Sequence, residues 1–259
     1  SNEEGFWEHS EIVKVQENLL ASLRRVWHGP QGTHPLPGGW LQTRAAQEAR
    51  SQLASIVDRE LHSTSGVWGF KDPRTGRLLP LWQLVLADVG AKPSYVLSVR
   101  NPLAVEASLV KHNGMDEARS RLAWWLHNLD CLRGAQDDLK VVVDYDLILQ
   151  DPGHEAERMA QALGGVLDVT SQQRAQAAAL VLASMRHNPP IAAGLGNAAV
   201  RDTYEGLLAM ARGQPMSANL RRQVDKYEDW QRLFAPWRRD TKAPWLDWAV
   251  RLVVRGKYR

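Results

Sequence analysis

The chain has 259 residues, of which 44% are hydrophobic and 24% charged, so it is long enough to bury a full core and to form one sizeable α/β domain with an appendage. Its 32 Lys and Arg residues exceed its 29 Asp and Glu residues by only three, and no long basic run is present. This weak excess argues against a nucleic-acid partner, whereas a small anionic ligand is compatible with it.

Cysteine usage and hydropathy predict the compartment. Cys131 is the single cysteine, so no disulfide can form within the chain, which is typical of a reducing compartment. No apolar run approaches the roughly 20 residues that a membrane span needs, and the N-terminus shows no signal-peptide pattern. We therefore predict a cytoplasmic protein without a membrane span.

Hydrophobic periodicity divides the first 150 or so residues into alternating helices and strands. Apolar residues recur at helical spacing after Ser10, which is a natural N-cap, and residues 28–39 form a loop because they carry three prolines and four glycines. The predicted helices cover residues 10–27, 44–61, 79–89, 102–113 and 115–136, and the predicted strands cover residues 67–70, 95–99 and 140–145.

Strands separated by helices predict an α/β fold, in which right-handed crossovers build a parallel sheet covered by helices on both faces. We predict this α/β domain over residues 1–152 and a helical C-terminal part over residues 153–259, packed on the same domain. Trp245 and Trp248 in the C-terminal tail can anchor it to the domain or form the contact of a homodimer. The elements predicted after residue 152 are helices near 155–163, 171–186, 201–212 and 219–234, followed by an amphipathic tail over 245–254.

The segment VRNP at residues 99–102 ends an apolar strand and opens a helix. In open α/β sheets, ligands gather beyond the carboxyl ends of the strands, where helix N-termini point their amides at anions, so Arg100 is placed to hold an anion. Ser108 lies six residues after Pro102, about 9 Å along the predicted helix, within reach of the same anion. In the alternative interpretation, Arg100 pairs with Glu106 and Ser108 packs a helix face.

Three further segments combine charged residues with predicted strand ends and helix starts. They are GFWEH at residues 5–9, WGFKDPR at residues 68–74, and VDYDL at residues 143–147 with an Asp-Pro pair at 151–152. Together with the arginine and serine of the strand–helix segment, they resemble the nucleotide-dependent sulfotransferases, particularly their bacterial branch. The resemblance covers roughly residues 5–152.

The resemblance implies a role for each matching residue. Arg100 and Ser108 are expected to bind the 3′-phosphate of 3′-phosphoadenosine 5′-phosphosulfate, and Lys71 and Arg74 are expected to contact the same co-substrate. A lysine beside the phosphosulfate stabilises the charge that develops on the leaving phosphate as the S–O bond breaks. The alternative for Asp72 and Arg74 is a salt bridge in a surface turn.

Sulfuryl transfer also needs a base that takes the proton of the acceptor hydroxyl. The resemblance makes Glu8 the first candidate for that base and His9 the second. The alternative is that Glu8 caps the helix that begins near Ser10, because carboxylates are favoured at helix N-termini whatever their function. The VDYDL segment is interpreted as a structural element.

The implied architecture is the P-loop NTPase-like sulfotransferase fold, with a parallel sheet flanked by helices, a helical C-terminal extension and no metal. The family's 5′-phosphosulfate loop, a G-x-x-R-[ST]-G-[ST]-like turn, has no counterpart in this sequence. In relatives that loop would lie just upstream of Gly5. We therefore expect this chain to be a fragment that lacks the first strand, loop and helix of the fold.

We expect a sulfotransferase that uses 3′-phosphoadenosine 5′-phosphosulfate and modifies a hydroxyl or amine of a carbohydrate, lipid or small metabolite. The alternative is a degenerate nucleotide-binding or interaction module, which the missing loop and the tryptophan-rich tail favour. A P-loop kinase relative is a third interpretation, and the lack of a Walker lysine in this sequence argues against it.

Overall fold

The computed structural model describes residues 8–27, 34–64, 67–135, 138–164, 167, 169–180 and 195–234. They form two compact units: the first holds the described residues up to Pro93 together with 229–234, and the second holds those from Ser94 to Glu228. The elements are α1 (Ser10–Ser22), a 3₁₀ turn (Trp40–Gln42), α2 (Arg44–His62), α3 (Thr75–Asp88), β1 (Tyr95–Val99), α4 (Pro102–Asn113), α5 (Glu117–Ala135), β2 (Leu139–Asp144), α6 (Tyr145–Gln150), α7 (Pro152–Ala162), α8 (Ser171–Leu180), α9 (Ala198–Ala211) and α10 (Ala218–Phe234).

Helix α1 is capped by His9, so the prediction that Ser10 is the N-cap is wrong. The Nδ1 atom of His9 accepts a hydrogen bond from the backbone N–H of Ile12 at 3.4 Å, which satisfies one of the amides that a helix start leaves without an intrahelical partner. The helix ends at Ser22, earlier than predicted, and Arg24 just beyond it adopts the left-handed conformation with a φ of 56°.

Helices α1, α2 and α3 pack together around the hydrophobic core of the first unit. The prediction for α2 is confirmed, and its start is fixed by Thr43, whose side chain accepts a hydrogen bond from the Ala46 N–H at 3.2 Å. The side chains that are almost fully buried in this core are Ile12, Leu19, Leu20, Ala46, Leu53, Val57, Leu78, Leu81, Trp82 and Val85.

The prediction of a strand over residues 67–70 is wrong. The segment is irregular and pairs with no strand among the described residues. Its aromatic rings pack instead: Phe70 lies 5.5 Å from Trp68 in a stacked arrangement and 4.7 Å from Trp82 of α3, measured between ring centroids. Aromatic packing therefore replaces a hydrogen-bonded ladder in holding this segment.

The second unit is built on a parallel sheet of two strands, β1 and β2, in which Val99 pairs with Asp144. Helices α4 and α5 connect the strands, and α7 and α9 pack against β2. The structure thus confirms an α/β architecture with a parallel sheet flanked by helices. The finer assignment to the P-loop sulfotransferase fold stays a prediction.

The two strands differ in how they are covered. Four consecutive residues of β2, 141–144, are buried, as expected for a strand with both faces covered. On β1, Val96 is 41% exposed and Ser98 is also exposed, while the residues between and beside them are more buried. The prediction that helices cover both faces is therefore wrong for β1, whose alternation is that of a strand with one covered face.

The described elements after residue 152 are all helices, as predicted. The end of the helix predicted over 171–186 and the tail predicted over 245–254 lie outside the described residues. The predicted domain boundary at residue 152 and the homodimer stay predictions. None of the helices in the described part of the chain has an apolar stretch long enough to cross a bilayer.

Candidate functional site

The carboxyl ends of β1 and β2 bring Arg100 and Tyr145 together in the second unit. Val99 and Asp144 are paired in the sheet, so the residues that follow them leave the same edge side by side. The guanidinium carbon of Arg100 lies 4.4 Å from the centre of the Tyr145 ring. This is a cation–π contact at the edge of the sheet where ligands of parallel α/β proteins bind.

The Arg100 guanidinium has a hydrogen-bonding group to offer. Its Nη2 atom is buried and has no hydrogen-bond partner among the described residues. The alternative partner, Glu106, is taken by Arg121 of α5, whose Nε lies 2.6 Å from the carboxylate. A buried donor without a partner costs about 1–3 kcal/mol, so an anion that reaches Nη2 recovers that free energy.

The backbone around Arg100 is held from two sides. The indole Nε1 of Trp124, on α5, donates a hydrogen bond to the Arg100 carbonyl at 3.0 Å. The side chain of Asn101 accepts a hydrogen bond from the Leu103 N–H at 2.9 Å and caps α4. The predicted site residue Ser108 lies half-buried on α4, and within the described residues no hydrogen bond joins it to Arg100.

Sequence reasoning missed Tyr204 of α9, which joins this edge of the sheet. Its ring meets the Trp124 ring edge-on, with the ring centroids 6.0 Å apart. Burial raises the pKa of the Tyr204 phenol to about 12, and the negative charges of Asp144 and Asp146 act in the same direction. A residue that reaches the site from a distant helix leaves no local motif by which to find it.

The first unit brings two other predicted residues together. The Nζ of Lys71 lies 2.9 Å from the Oε1 of Glu8, and Arg74 is 3.8 Å from the other oxygen of the same carboxylate. The Glu8 side chain is 15% exposed and that of Lys71 is 64% exposed. The Lys71 ammonium is therefore exposed to solvent, whereas the Glu8 carboxylate is largely buried. Residues 5–7 of the same motif lie outside the described residues.

Arg74 belongs to a buried ion-pair network. Its guanidinium lies 3.0 Å from Asp72 and 2.6 Å from Glu17, and it stacks over the Trp27 ring at 5.0 Å, with only 6% of its side chain exposed. Burial raises the pKa of the Asp72 carboxyl, and the charge of Arg74 opposes that shift. The salt bridge between Asp72 and Arg74 that was the alternative prediction is therefore present, but it is buried and not at the surface. The contact of Arg74 with the co-substrate stays a prediction.

His9 makes a contact through each ring nitrogen. Nδ1 accepts from the Ile12 amide, while Nε2 lies 3.4 Å from a carboxylate oxygen of Glu60. This arrangement corresponds to the tautomer that carries its hydrogen on Nε2. The alternative that Glu8 caps α1 is wrong because His9 occupies that position.

Comparison of the chain with protein-family models, with curated proteins and with solved structures finds no match. The resemblance to sulfotransferases therefore rests on the residues of the motifs themselves.

Proposed function

We propose that this protein is a sulfotransferase that moves a sulfuryl group from 3′-phosphoadenosine 5′-phosphosulfate to a hydroxyl or amine of a carbohydrate, lipid or small metabolite. The observation that carries the proposal is the Arg100 guanidinium, stacked on Tyr145 at the carboxyl end of a parallel strand, with a buried Nη2 that has no partner among the described residues. A residue with this geometry is suited to an oxyanion.

The chemistry of the arginine favours a phosphate group. A guanidinium presents its N–H donors in a planar fork that matches two oxygens of a phosphate, and charge-assisted bonds of this kind are about twice as strong as neutral ones. Helix α4 begins two residues later, and its dipole adds partial positive charge near its N-terminus. In the proposal, Arg100 and Ser108 bind the 3′-phosphate.

Lys71 and Glu8 supply the groups for the transfer step. The acceptor oxygen attacks sulfur, the bond between sulfur and the bridging phosphate oxygen breaks, and adenosine 3′,5′-bisphosphate leaves. The Lys71 ammonium stabilises the negative charge on the leaving phosphate, and Glu8 takes the acceptor proton. Glu8 is preferred to His9 because both ring nitrogens of His9 are already engaged.

A second function, a nucleotide-binding module without transfer activity, is favoured by one observation. The Glu8 carboxylate is already engaged by two cations, Lys71 at 2.9 Å and Arg74 at 3.8 Å. A base needs an oxygen that can reach the acceptor, so the Lys71 contact must open before Glu8 can act. In a module that only binds nucleotide, the same contact is permanent.

Isothermal titration with adenosine 3′,5′-bisphosphate tests the binding half of the proposal. We expect micromolar affinity for the parent and a loss of about 2 kcal/mol, or roughly 30-fold, in Arg100→Ala. Arg119→Ala is the matched control, because it removes an exposed arginine of the same unit whose partner is Asp116. A parent that does not bind, or an Arg100→Ala variant that binds equally well, contradicts the proposal.

The transfer half is tested with a radiolabelled phosphosulfate donor and a panel of hydroxyl and amine acceptors. Label that moves to an acceptor supports the sulfotransferase. Binding of the bisphosphate together with complete absence of transfer, including transfer to water, supports the module without activity.

A further inference from the structure

Tyr145 was interpreted from sequence as part of a structural element, yet its ring lies against the guanidinium of Arg100. An arginine side chain is long and flexible, so one that binds a ligand tightly must be held before the ligand arrives. The stacking distance of 4.4 Å places the ring in position to do this. The question is whether the contact holds the arginine in a form that can still bind.

Stacking uses the face of the guanidinium and not its edge. The five N–H donors of arginine lie in the plane of the group, so a ring against the face leaves them available. The structure agrees, since Nη2 of Arg100 is buried without a hydrogen-bond partner in the described part of the chain. A carboxylate in the place of Tyr145 would hold the guanidinium equally well but would consume its donors and its charge.

Both partners of the stack are themselves fixed by local structure. The carboxylate of Asp144 accepts a hydrogen bond from the Asp146 N–H at 3.0 Å, which caps α6 and sets Tyr145 as its first residue. At the end of β1, the Arg100 carbonyl accepts a hydrogen bond from the indole Nε1 of Trp124, on α5, at 3.0 Å. The ring and the guanidinium therefore meet without help from a ligand.

From these contacts we infer that Tyr145 is a positioning residue, which orients Arg100 so that its N–H edge is presented to a tetrahedral oxyanion. The inference rests on the proposed function, in which that anion is the 3′-phosphate of the co-substrate. The inference assigns this role to the aromatic ring of the tyrosine.

The test compares Tyr145→Phe, which keeps the ring, with Tyr145→Leu, which removes it. Tyr95→Leu is the control, because Tyr95 lies at the opposite end of β1, about 16 Å from Arg100 along the strand. Each variant is titrated calorimetrically with adenosine 3′,5′-bisphosphate and with inorganic phosphate. Nitrogen-15 NMR of the Arg100 Nε–Hε group reports the ring-current shift of the stack before any ligand is added.

We expect Tyr145→Phe to bind both probes within about threefold of the parent and to keep the ring-current shift. Tyr145→Leu should lose the shift and bind about tenfold more weakly, while Tyr95→Leu binds like the parent. Equal binding by Tyr145→Leu and the parent overturns the inference and leaves the proposed function standing. Binding of phosphate but not of the bisphosphate, with the same order among the variants, overturns the proposed function and supports the positioning role. A parent that binds neither probe overturns both.

Discussion

Two arginines of this molecule, one in each unit, have different surroundings. Arg74 and Arg100 each lie within a motif segment, and each stacks on an aromatic ring, at 5.0 Å and 4.4 Å respectively. Arg74 has carboxylates of Asp72 and Glu17 within 3.0 Å, whereas Arg100 has no carboxylate partner among the described residues. The difference teaches that the partners of a cation, and not its motif, distinguish Arg74, which carboxylates surround, from Arg100, for which a binding role is proposed.

The largest expected effect is on stability, and it comes from breaking the Arg74 network. Arg74→Met removes the guanidinium that pairs with the buried carboxylates of Asp72 and Glu17, so we expect a loss of about 3–5 kcal/mol in the free energy of unfolding, measured by urea denaturation. Arg100→Met is the matched variant in the other unit. It strands no carboxylate and removes a buried donor without a partner, so its stability should change by less than about 1 kcal/mol. Equal losses in the two variants would erase the distinction drawn between the two arginines.

The next effect is on transfer, and it comes from the exposed cation that neighbours Arg74. In the proposed function Lys71→Met removes the charge that stabilises the leaving phosphate, so we expect the transfer rate to fall by a factor on the order of 10²–10³, with nucleotide affinity nearly unchanged. Lys71→Arg should recover part of the rate, since it restores the charge with a different shape. A Lys71→Met variant that transfers at the parental rate would remove Lys71 from the proposed chemistry.

The smallest expected effect is the pH dependence of stability that comes from a partly exposed ion pair, Arg50 with Asp88. It contrasts with the buried network around Arg74. A side-chain hydrogen bond from Arg50 lowers the pKa of the Asp88 carboxyl, and the two Arg50 nitrogens lie 2.6 Å and 2.5 Å from its oxygens. Because the folded pKa is below the unfolded one, this pair stabilises the fold above the unfolded pKa, near 3.8, and its contribution disappears as the pH falls through the folded pKa.

Arg50→Ala should therefore be less stable than the parent near neutral pH, with the difference closing as the pH falls through the folded pKa of Asp88. Denaturation of both proteins across that range measures it. A gap that stays constant from neutral to acidic pH would show that Arg50 acts by packing and not through the charge of Asp88.

The repeating helix–strand pattern could be predicted from the sequence because hydrophobic periodicity and helix-breaking residues are local signals. They located α2, β1 and α4. The two helices are capped by Thr43 and Asn101, which directly precede their first turns. The supposed strand at residues 67–70 failed because its apolar run is matched as well by aromatic packing as by a ladder. Periodicity does not distinguish the two.

The candidate site was only partly predictable for a related reason. The strand–helix motif located Arg100, since the carboxyl end of a parallel strand is a place that sequence can indicate. The partners of that arginine come from elsewhere: Tyr145 from the start of α6, Trp124 from α5 and, beyond it, Tyr204 from α9. These contacts depend on register and packing, which no local pattern records. The salt bridge between Asp72 and Arg74 was considered from the sequence, but its third member, Glu17, was missed because it lies 57 residues away in the chain.

The pairing of Val99 with Asp144 makes the stack of Tyr145 on Arg100 depend on the alignment of two strands. A slip of one residue would turn the Tyr145 ring to the opposite face of the sheet, and a slip of two would carry it roughly 7 Å along the strand, out of reach of the guanidinium. An insertion in the connection between α4 and α5, residues 114–116, can be absorbed there. An insertion within either strand would separate the ring from the guanidinium while leaving both side chains in the sequence.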